Sequence, residues 1–392
     1  MLLIMSVFAS LTVGVLLSEF GARFWVKNFS QPYVWKPRLD LVMHPRRDVL
    51  PQLSPTTTLK ANSLGIRGDE LKPAETTYRI VAAGGSAVEC FALDQGESWP
   101  EQVATLLKSS SVPASLERSA VQSLNIGKSG FTNETLCYLL PRLLPRIGKV
   151  DVVLIMTGMG AVNSWMRQGT PSVLPTDEEP WDDLHWHSEM KYGWLPQQTA
   201  LVDLAHRSWY AWRSRRVVLD ATGGSLKEGR EARARVRDMR ETTGDPAQWV
   251  TNFEVSLEAI VATARPWARH VILVRQPWFN KSEPTPEETA LFWQGFVGSA
   301  TPRERTDFYS HRVVCNLMSM MDAATERVGV RVGVPVIRPA DVLELSSDTF
   351  YDHCHLTPRG ATVVAQYVAQ HIEAVEGGAH RVMAFASKEA AE

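Results

Sequence analysis

The sequence predicts an α/β fold: a three-layer α/β/α sandwich around a parallel sheet of about five strands. Two observations support this prediction. Short apolar runs alternate with helical patterns from residue 78 to residue 376, which is typical of parallel strands joined by crossover helices. The glycine-rich turns also come directly after apolar runs, where an open parallel sheet presents its ligand-binding edge.

The strands are predicted from apolar runs of strand length. The clearest begins at Asp151 and continues through Val-Val-Leu-Ile-Met to Thr157. A run this continuous is expected of a central parallel strand that is buried on both faces. The predicted strands cover residues 78–84, 121–126, 151–157, 271–274 and 334–337.

Helices are predicted between the strands. One lies near residues 97–108, and another starts at Thr132 or Asn133 and runs toward Leu144. Pro141 is expected to interrupt the second helix, because proline lacks the amide hydrogen that a helix interior needs. The last helix is predicted from Thr357 as N-cap and Pro358 as first helical residue.

A candidate nucleophile follows the first predicted strand. Gly84 and Gly85 end the apolar run, and Ser86 comes next. A serine on a tight strand-to-helix turn can expose its hydroxyl at the sheet edge. A glycine turn with a helix-capping serine is the structural alternative.

A candidate base lies near the other end of the chain, in the stretch from Tyr351 to Gly360. Asp352 and His355 are three residues apart, so one bent loop can present both side chains. A serine hydroxyl needs a base within hydrogen-bond reach, and the base needs a group that orients it. His353 is the immediate neighbour of Asp352 and is expected to point elsewhere.

These stretches resemble the sequence blocks of the SGNH (GDSL-type) hydrolases, a family of single-domain α/β esterases and acyltransferases. Gly84-Gly85-Ser86 is similar to the nucleophile block, with Gly85 where many members have Asp. The last block, Asp-x-x-His, matches Asp352 to His355 closely. The resemblance covers roughly residues 60–375.

The two middle blocks match less completely. The stretch from Asn125 to Thr132 resembles the second block, and the family's oxyanion-hole glycine aligns with Gly130. In the third block Gly160 stands where the family has its oxyanion Asn, and the nearest Asn is Asn163. Losing one oxyanion donor typically costs about 10²–10³ in rate, so this departure is expected to weaken a catalyst rather than abolish it.

The resemblance implies a membrane-anchored bacterial-type esterase with Ser86 as nucleophile, His355 as base and Asp352 as its orienting group. The implied oxyanion hole consists of the backbone amides of Ser86 and Gly130, with Asn163 as a substitute donor. The expected substrate is a small-molecule or polysaccharide ester, and no cofactor is expected. Two alternatives stay open: an O-acyltransferase acting on a cell-surface polysaccharide, and a non-catalytic binding module of an envelope assembly.

The N-terminus predicts a membrane anchor. Residues 1–17 carry no charge, which is near the lower limit of about 17–25 residues for a spanning helix. Arg23, Lys27, Lys36 and Arg38 follow this run, and the positive-inside rule would keep them in the cytoplasm. The family resemblance instead favours a catalytic domain in the periplasm or outside the cell.

The remaining chain divides into a lead-in, the main domain and a tail. The anchor is assigned to residues 1–25, the lead-in to 26–77, the α/β domain to 78–376 and a flexible tail to 377–392. Within the domain, residues 161–246 read as an inserted cap that is rich in Trp. Trp165, Trp181 and Trp186 are candidate substrate-binding residues there, although burial within a small subdomain is the alternative.

Composition narrows the function further. The formal net charge is −2, which gives no indication of nucleic-acid binding. No Cys-x-x-Cys pair or other metal-ligand spacing occurs, so no metal is expected. Cys90 and Cys354 should lie near the site as buried free thiols. The basic stretch from Lys227 to Arg240 is expected to be a solvated helix face, with attraction to anionic polymer or lipid as the alternative.

Overall fold

The centre of the molecule is a twisted parallel sheet. The computed structural model describes residues 2–29, 32–173, 192–206, 208–209 and 222–377. Five strands of this part form the sheet in the order β4-β3-β5-β6-β7, and every neighbouring pair is parallel. The predicted three-layer α/β fold is therefore confirmed. The strands of the molecule are β1 Asp40–Met43, β2 Thr57–Lys60, β3 Thr77–Gly84, β4 Ala120–Gly127, β5 Val150–Met156, β6 Ala268–Val274 and β7 Val336–Ile337.

Helices cover both faces of this sheet. All helices named in the described ranges, including those away from the sheet, are α1 Leu2–Phe29, α2 Ser86–Glu89, α3 Trp99–Leu107, α4 Val112–Ser115, α5 Asn133–Ile147, α6 Met159–Arg167, α7 Gly224–Arg235, α8 Ala247–Ala264, α9 Pro286–Thr289, α10 His311–Val332 and α11 Pro358–Glu376. Residues 201–206 are also helical.

Each sheet face has its own apolar core. In β3, Val81 and Ala83 pack with α5, α6, α8 and α10 on one face. Ile80 and Ala82, which alternate with them, pack with α2, α3 and α11 on the other. Successive side chains of a strand point to opposite faces, so the apolar run from Ile80 to Ala83 in β3 supplies both cores.

Two predicted helix features have different outcomes. Thr357 caps α11 as predicted, with its hydroxyl accepting a hydrogen bond from the Gly360 amide at 3.2 Å. The predicted interruption at Pro141 is wrong, because α5 continues through Pro141 and Pro145 to Ile147. The buried leucines on both sides of Pro141 hold α5 against the sheet, and this packing outweighs the local cost of the prolines.

The lead-in contains structure that its composition did not predict. Strands β1 and β2 pair antiparallel and form a small separate sheet. Beyond it, Arg67 is 1% exposed, and its backbone pairs with Asn125 of β4. The lead-in is therefore folded against the main domain at the sheet edge where the candidate site lies.

The N-terminal helix α1 has the length and apolar character of a membrane span. Its candidate span covers Ile4–Asn28 with a mean hydropathy of 1.7, and 6% of its most apolar stretch is buried in the protein. A cleavable signal sequence has the same characteristics. One apolar helix is thus present where the anchor was predicted.

The first residues of the predicted insertion, 161–246, belong to the main core. Helix α6 spans this boundary and contributes Val162, Trp165 and Met166 to the main core. The basic stretch is also not simply a solvated face. Arg233 of α7 is 4% exposed, and it donates hydrogen bonds to the Gln294 and Tyr309 carbonyls at 2.9 and 3.0 Å.

Candidate active site

Three turns meet at one edge of the sheet. Ser86 follows β3, the turn of residues 128–131 follows β4, and Gly158 follows β5. Because β3 lies between β4 and β5, the three turns are neighbours at the carboxyl ends of the strands. Ligands bind at this edge in open α/β sheets.

The Ser86 turn requires glycine at the ends of two adjacent strands, β3 and β4. A Cβ on Gly84 would lie 2.1 Å from the Met156 carbonyl oxygen, and a Cβ on Gly127 would lie 2.4 Å from the Glu89 amide nitrogen. Side chains there would push α2 away from the ends of β3 and β4. The two glycines therefore let the helix that begins with Ser86 sit directly on the sheet edge.

Side-chain donors hold the carbonyls of this short helix. Trp99 donates to the Ala87 oxygen at 2.9 Å, and Asn125 donates to the Val88 oxygen at 2.7 Å. The Arg67 guanidinium donates to the Glu89 and Cys90 oxygens at 2.6 and 2.9 Å. A helix of one turn leaves its carbonyls without backbone partners, so these donors fix the position of Ser86.

The structure joins Asp352 and His355 directly. The distance between Asp352 Oδ2 and His355 Nδ1 is 2.6 Å. The Asp352 side chain is fully buried, whereas the His355 side chain keeps 14% of its exposure. His355 Nε2 makes no hydrogen bond to the described residues, which leaves it available to a substrate or nucleophile.

The Asp352 carboxylate accepts four hydrogen bonds. Oδ1 accepts from the backbone amides of Cys354 and His355 at 3.0 and 2.9 Å. Oδ2 accepts from His355 Nδ1 and from Trp293 Nε1, the latter at 2.7 Å. A carboxylate has about four acceptor positions, so its hydrogen-bonding capacity is filled.

Three side chains of this loop lie close enough together to be considered as metal ligands. Ligand atoms of Asp352, Cys354 and His355 lie within 4.8 Å of one another. A metal ion would have to displace hydrogen-bond donors that already fill the Asp352 carboxylate. The geometry therefore fits an orienting carboxylate better than a metal ligand.

Electrostatics within the pair favour a charged Asp352 and a basic His355. Burial alone would raise the pKa of Asp352, but the charge and hydrogen bond of His355 and the amide donors hold it well below its usual range. Burial alone would lower the pKa of His355, but the charge and hydrogen bond of Asp352 raise it above its ordinary value of 6.5. His355 is thus a stronger base than a free histidine.

The Tyr351 ring supports His355. It stacks on the imidazole with ring centroids 5.4 Å apart and an interplanar angle of 15°. Arg230 of α7 donates to the Tyr351 carbonyl at 2.5 Å and to the Val49 carbonyl at 2.7 Å. Helix α7 therefore braces the loop that carries His355.

His353 lies on the other side of this loop. Its ring stacks on Phe292 with centroids 4.0 Å apart, and both of its ring nitrogens are buried without a partner. Burial and the nearby positive charge of Arg233 lower its pKa well below the ordinary value. The arrangement agrees with the expectation that His355, and not His353, pairs with Asp352.

Ser86 and His355 come from elements that share one apolar core. The residue after Ser86, Ala87, belongs to the same core as Tyr351 and Leu356, which lie four residues before and one residue after His355. The charge of Glu89 also contributes to the raised pKa of His355. No hydrogen bond joins the Ser86 hydroxyl to His355 among the described residues, and catalytic hydrogen bonds often form only when substrate binds.

Glu89 links the Ser86 helix to the turn after β4. Its buried carboxylate accepts from the Ser129 amide at 2.7 Å and from the Ser129 hydroxyl. The next residue, Gly130, has a φ of +87°, a conformation that favours glycine. The position of the Gly130 amide therefore depends on Glu89.

Both departures from the SGNH pattern contact the same carbonyl group. A Cβ on Gly160 would lie 2.3 Å from the Phe131 backbone oxygen, and a Cβ on Gly85 would lie 3.3 Å from it. Real Cβ contacts under 3.0 Å essentially do not occur. The Phe131 carbonyl thus occupies space next to both glycines, and an Asn at position 160 would not fit without movement of the backbone.

The candidate donor Asn163 lies on α6, one helical turn after Gly160. Its side chain is half-buried and makes no hydrogen bond to the described residues. Positions three residues apart lie on the same helix face. Asn163 is therefore on the side of α6 that Gly160 presents to the turn after β4, and its role as an oxyanion donor stays a prediction.

The tryptophan predictions need one correction. Trp165 is 2% exposed, stacks on Trp249 with centroids 4.5 Å apart, and donates to the Pro171 carbonyl at 3.0 Å. It is a core residue and does not line a binding surface, because helix α6 packs against the sheet. Trp181 and Trp186 lie outside the described residues.

Sequence reasoning missed Trp293, Glu89 and Arg230. No local motif marks them, because each acts on a residue distant in sequence, such as Asp352 for Trp293. A Cβ on Gly229 would lie 3.2 Å from the Trp293 side chain. Glycine in the middle of a helix is costly and is a signal of close packing that could have drawn attention to this contact.

Comparison with known proteins gives structural similarity only. No protein-family model and no curated protein matches the sequence. The acetylxylan esterase Axe2 from Geobacillus stearothermophilus is similar with 13% identity and a TM-score of 0.40, covering 76% of this chain and 96% of that one. A putative lipolytic protein of the G-D-S-L family from Desulfitobacterium hafniense is similar with 11% identity and a TM-score of 0.37, covering 74% and 98%.

Proposed function

We propose that the protein is a serine ester hydrolase. The Asp352–His355 pair carries the proposal: a buried carboxylate with filled hydrogen-bond capacity orients an imidazole whose other nitrogen is unoccupied. Ser86, the proposed nucleophile, begins the short helix after β3, and three side-chain donors hold that helix. These are the parts that an acyl-enzyme mechanism needs.

In the proposed reaction, the Ser86 hydroxyl oxygen attacks the carbonyl carbon of the ester. His355 Nε2 takes the hydroxyl proton and then gives it to the departing alcohol. Water repeats the sequence on the acyl-enzyme, which releases the acid and restores Ser86. The backbone amides of Ser86 and Gly130, with Asn163, stabilise the negative charge on the carbonyl oxygen.

Turnover of a small aryl ester tests this proposal. Ser86→Ala and His355→Ala should each lower kcat by several orders of magnitude, because each removes one member of a unit. The Ser86→Ala/His355→Ala double variant should be scarcely worse than either single variant. Additive losses, or unchanged turnover in either single variant, would contradict the proposal.

The substrate is proposed to be a small or carbohydrate-borne ester. Comparing kcat/KM for aryl esters of increasing acyl length and for acetylated oligosaccharides should show which acyl group and which alcohol the enzyme prefers.

An acyl-enzyme can also transfer its acyl group to a sugar hydroxyl instead of water. Adding an unacylated oligosaccharide and measuring acylated sugar against free acid separates hydrolase from transferase.

We also propose that α1 anchors the protein in a membrane with the domain in the periplasm or outside the cell. The apolar helix supports the anchor, and the family resemblance supports the location. Protease digestion of intact and of permeabilised cells shows on which side of the membrane the domain lies. Cleavage of the domain only after permeabilisation of the inner membrane would place it in the cytoplasm.

A further inference from the structure

The carboxyl-terminal part of α1 is folded onto the domain. Glu19, Ala22 and Val26 form a buried stripe, with Glu19 only 3% exposed. These positions follow the i, i+3, i+7 spacing of one helix face. Before Glu19, in contrast, the described side chains of α1 are exposed, including Phe8 at 67% and Leu11 at 62%.

Charged groups of α1 make the contact. Glu19 accepts from the Ala200 and Leu201 amides at 2.9 Å each. Arg23 binds Glu19 at 2.7 Å and the Tyr192 carbonyl at 3.1 Å, and it also donates to the Gly193 carbonyl. A glutamate within an apolar helix is costly in lipid, and here both of its oxygens have partners.

These contacts define where the bilayer ends along α1. Residues 2–18 precede Glu19, and at 1.5 Å per residue they extend about 26 Å, close to the ~30 Å hydrocarbon thickness. Within the candidate span of Ile4–Asn28, the boundary between hydrocarbon and headgroups would therefore lie near Glu19 and Phe20, and the rest of the span would pack on the domain. Any element that touches these residues lies at the same depth.

The segment of residues 194–202 touches them and exposes apolar side chains. Trp194 packs on Phe20 with centroids 5.7 Å apart, and the Arg23 guanidinium lies 4.3 Å from the Trp194 ring centre. The exposed fractions are 60% for Trp194, 55% for Leu195, 40% for Leu201 and 45% for Val202. Tryptophan and arginine are typical of the membrane–water interface.

We propose that residues 194–202 insert into the boundary between lipid headgroups and acyl chains beside α1. The apolar side chains of this segment then continue the lipid-facing surface of the helix. This inference rests on the proposed anchoring by α1. The domain would thus contact the bilayer through two elements, which restricts its tilt more than a single flexible tether does.

Photocrosslinking of the full-length protein in phosphatidylcholine–phosphatidylglycerol vesicles tests the inference. A benzophenone amino acid replaces Leu195 or Val202 in turn, and lipid adducts are measured by mass spectrometry. Phe8 within the proposed span is the positive control. Val330, which is 84% exposed on α10, is the surface control.

Lipid adducts at Leu195 and Val202 that exceed those at Val330 several-fold, together with adducts at Phe8, are the expected result. Adducts at Phe8 without adducts at Leu195 and Val202 would overturn the inference and leave the anchor in place. Absence of adducts at Phe8 would overturn the anchor and the inference together. Crosslinks from Leu195 to a second copy of the chain would show a protein-binding face and also overturn it.

Discussion

At the residue scale, the Asp352 carboxylate is the most constrained group of the candidate site. It is fully buried, and its four acceptor positions hold two backbone amides, the His355 imidazole and the Trp293 indole. A buried carboxylate with this many donors stays charged and keeps one orientation. The direction of His355 is therefore set by residues from two distant parts of the chain.

Trp293→Phe tests the contribution of the indole. The substitution keeps an aromatic ring and removes the donor to Asp352 Oδ2. A hydrogen bond to a charged group is worth about 1.5–3 kcal/mol, so kcat should fall roughly 10- to 100-fold with little change in KM.

His353→Leu is the matched control for this measurement. It changes a buried side chain of the same loop whose ring nitrogens make no hydrogen bond to the part of the chain that the structure describes, so kcat per folded molecule should stay near that of the parent protein. Equal losses of kcat in both variants would mean that loop packing, and not the indole donor, supports the reaction.

The pH dependence of kcat/KM follows from the raised pKa of His355. His355 accepts a proton only when neutral, so activity should rise with pH through a midpoint above 6.5. In Asp352→Asn the negative charge is lost, and the smaller residual activity should rise at a lower pH. A midpoint that is unchanged or moves upward in Asp352→Asn would contradict the assigned pair.

The pKa shifts of Asp352 and His355 also make the stability of the folded protein depend on pH. The pKa of Asp352 is depressed on folding, so its contribution is present above the unfolded pKa and is lost as pH falls through the folded value. The pKa of His355 is raised, so its contribution is present below the unfolded value and is lost as pH rises through the folded one.

Residues close in sequence were predictable, and residues that meet across the fold were not. The pairing of Asp352 with His355 and the glycine turn before Ser86 follow from local chemistry, and the structure shows a 2.6 Å contact in that pair and the turn directly after β3. Trp293 and Arg230 reach the loop from other elements, and no spacing in the sequence encodes such a meeting. Trp165 was a candidate binding residue because it lies in a Trp-rich segment, and tertiary packing buries it, which was the alternative interpretation.

At the element scale, the turns after β3, β4 and β5 pack closely against one another. The Phe131 carbonyl of the middle-block turn lies against Gly85 and Gly160, the two positions that depart from the SGNH pattern. The proximity of this carbonyl explains why neither position carries a side chain. The resemblance to the SGNH blocks identified the two departures separately, but only the fold relates them.

Gly160→Asn should therefore harm the protein instead of restoring an oxyanion donor. Its Cβ would lie 2.3 Å from the Phe131 oxygen, and overpacking of this kind costs about 1–3 kcal/mol. Thermal unfolding measures the loss. Gly96→Ala is the control, because nothing lies within 4 Å of its added Cβ. A Gly160→Asn variant with higher kcat and unchanged melting temperature would contradict this account.

Glu89 connects two of these turns, so its substitution should affect the oxyanion amide. Glu89→Ala leaves the Ser129 amide without its acceptor, and kcat should fall by about 10-fold or more with KM nearly unchanged. Glu89→Gln, which keeps an acceptor oxygen, should recover part of this loss. Titration of active protein separates a lower kcat from a smaller folded fraction. Equal kcat per active site in Glu89→Ala and the parent would contradict this role.

At the scale of the whole molecule, the parallel sheet and its crossover helices were predictable because buried strands are continuous apolar runs. The β1–β2 ribbon and the packing of α6 into the main core were not. Both depend on packing against the main domain, which is outside the reach of local patterns. The folded lead-in has a functional consequence, since Arg67 holds the carbonyls of the helix that carries Ser86.

The proposed function depends on Ser86 being a nucleophile that His355 activates. It requires that the hydroxyl of one serine, among all those in the chain, reacts with an electrophile that mimics an ester. Reactivity of this kind depends on the base and not on exposure alone.

The most direct measurement is labelling of the full-length protein with a fluorophosphonate and location of the adduct by mass spectrometry. We expect one adduct, on Ser86, absent in Ser86→Ala and formed much more slowly in His355→Ala. His353→Leu should be labelled at the parent rate. Labelling that falls on another residue, or that persists unchanged in His355→Ala, would contradict the assignment of Ser86 and His355.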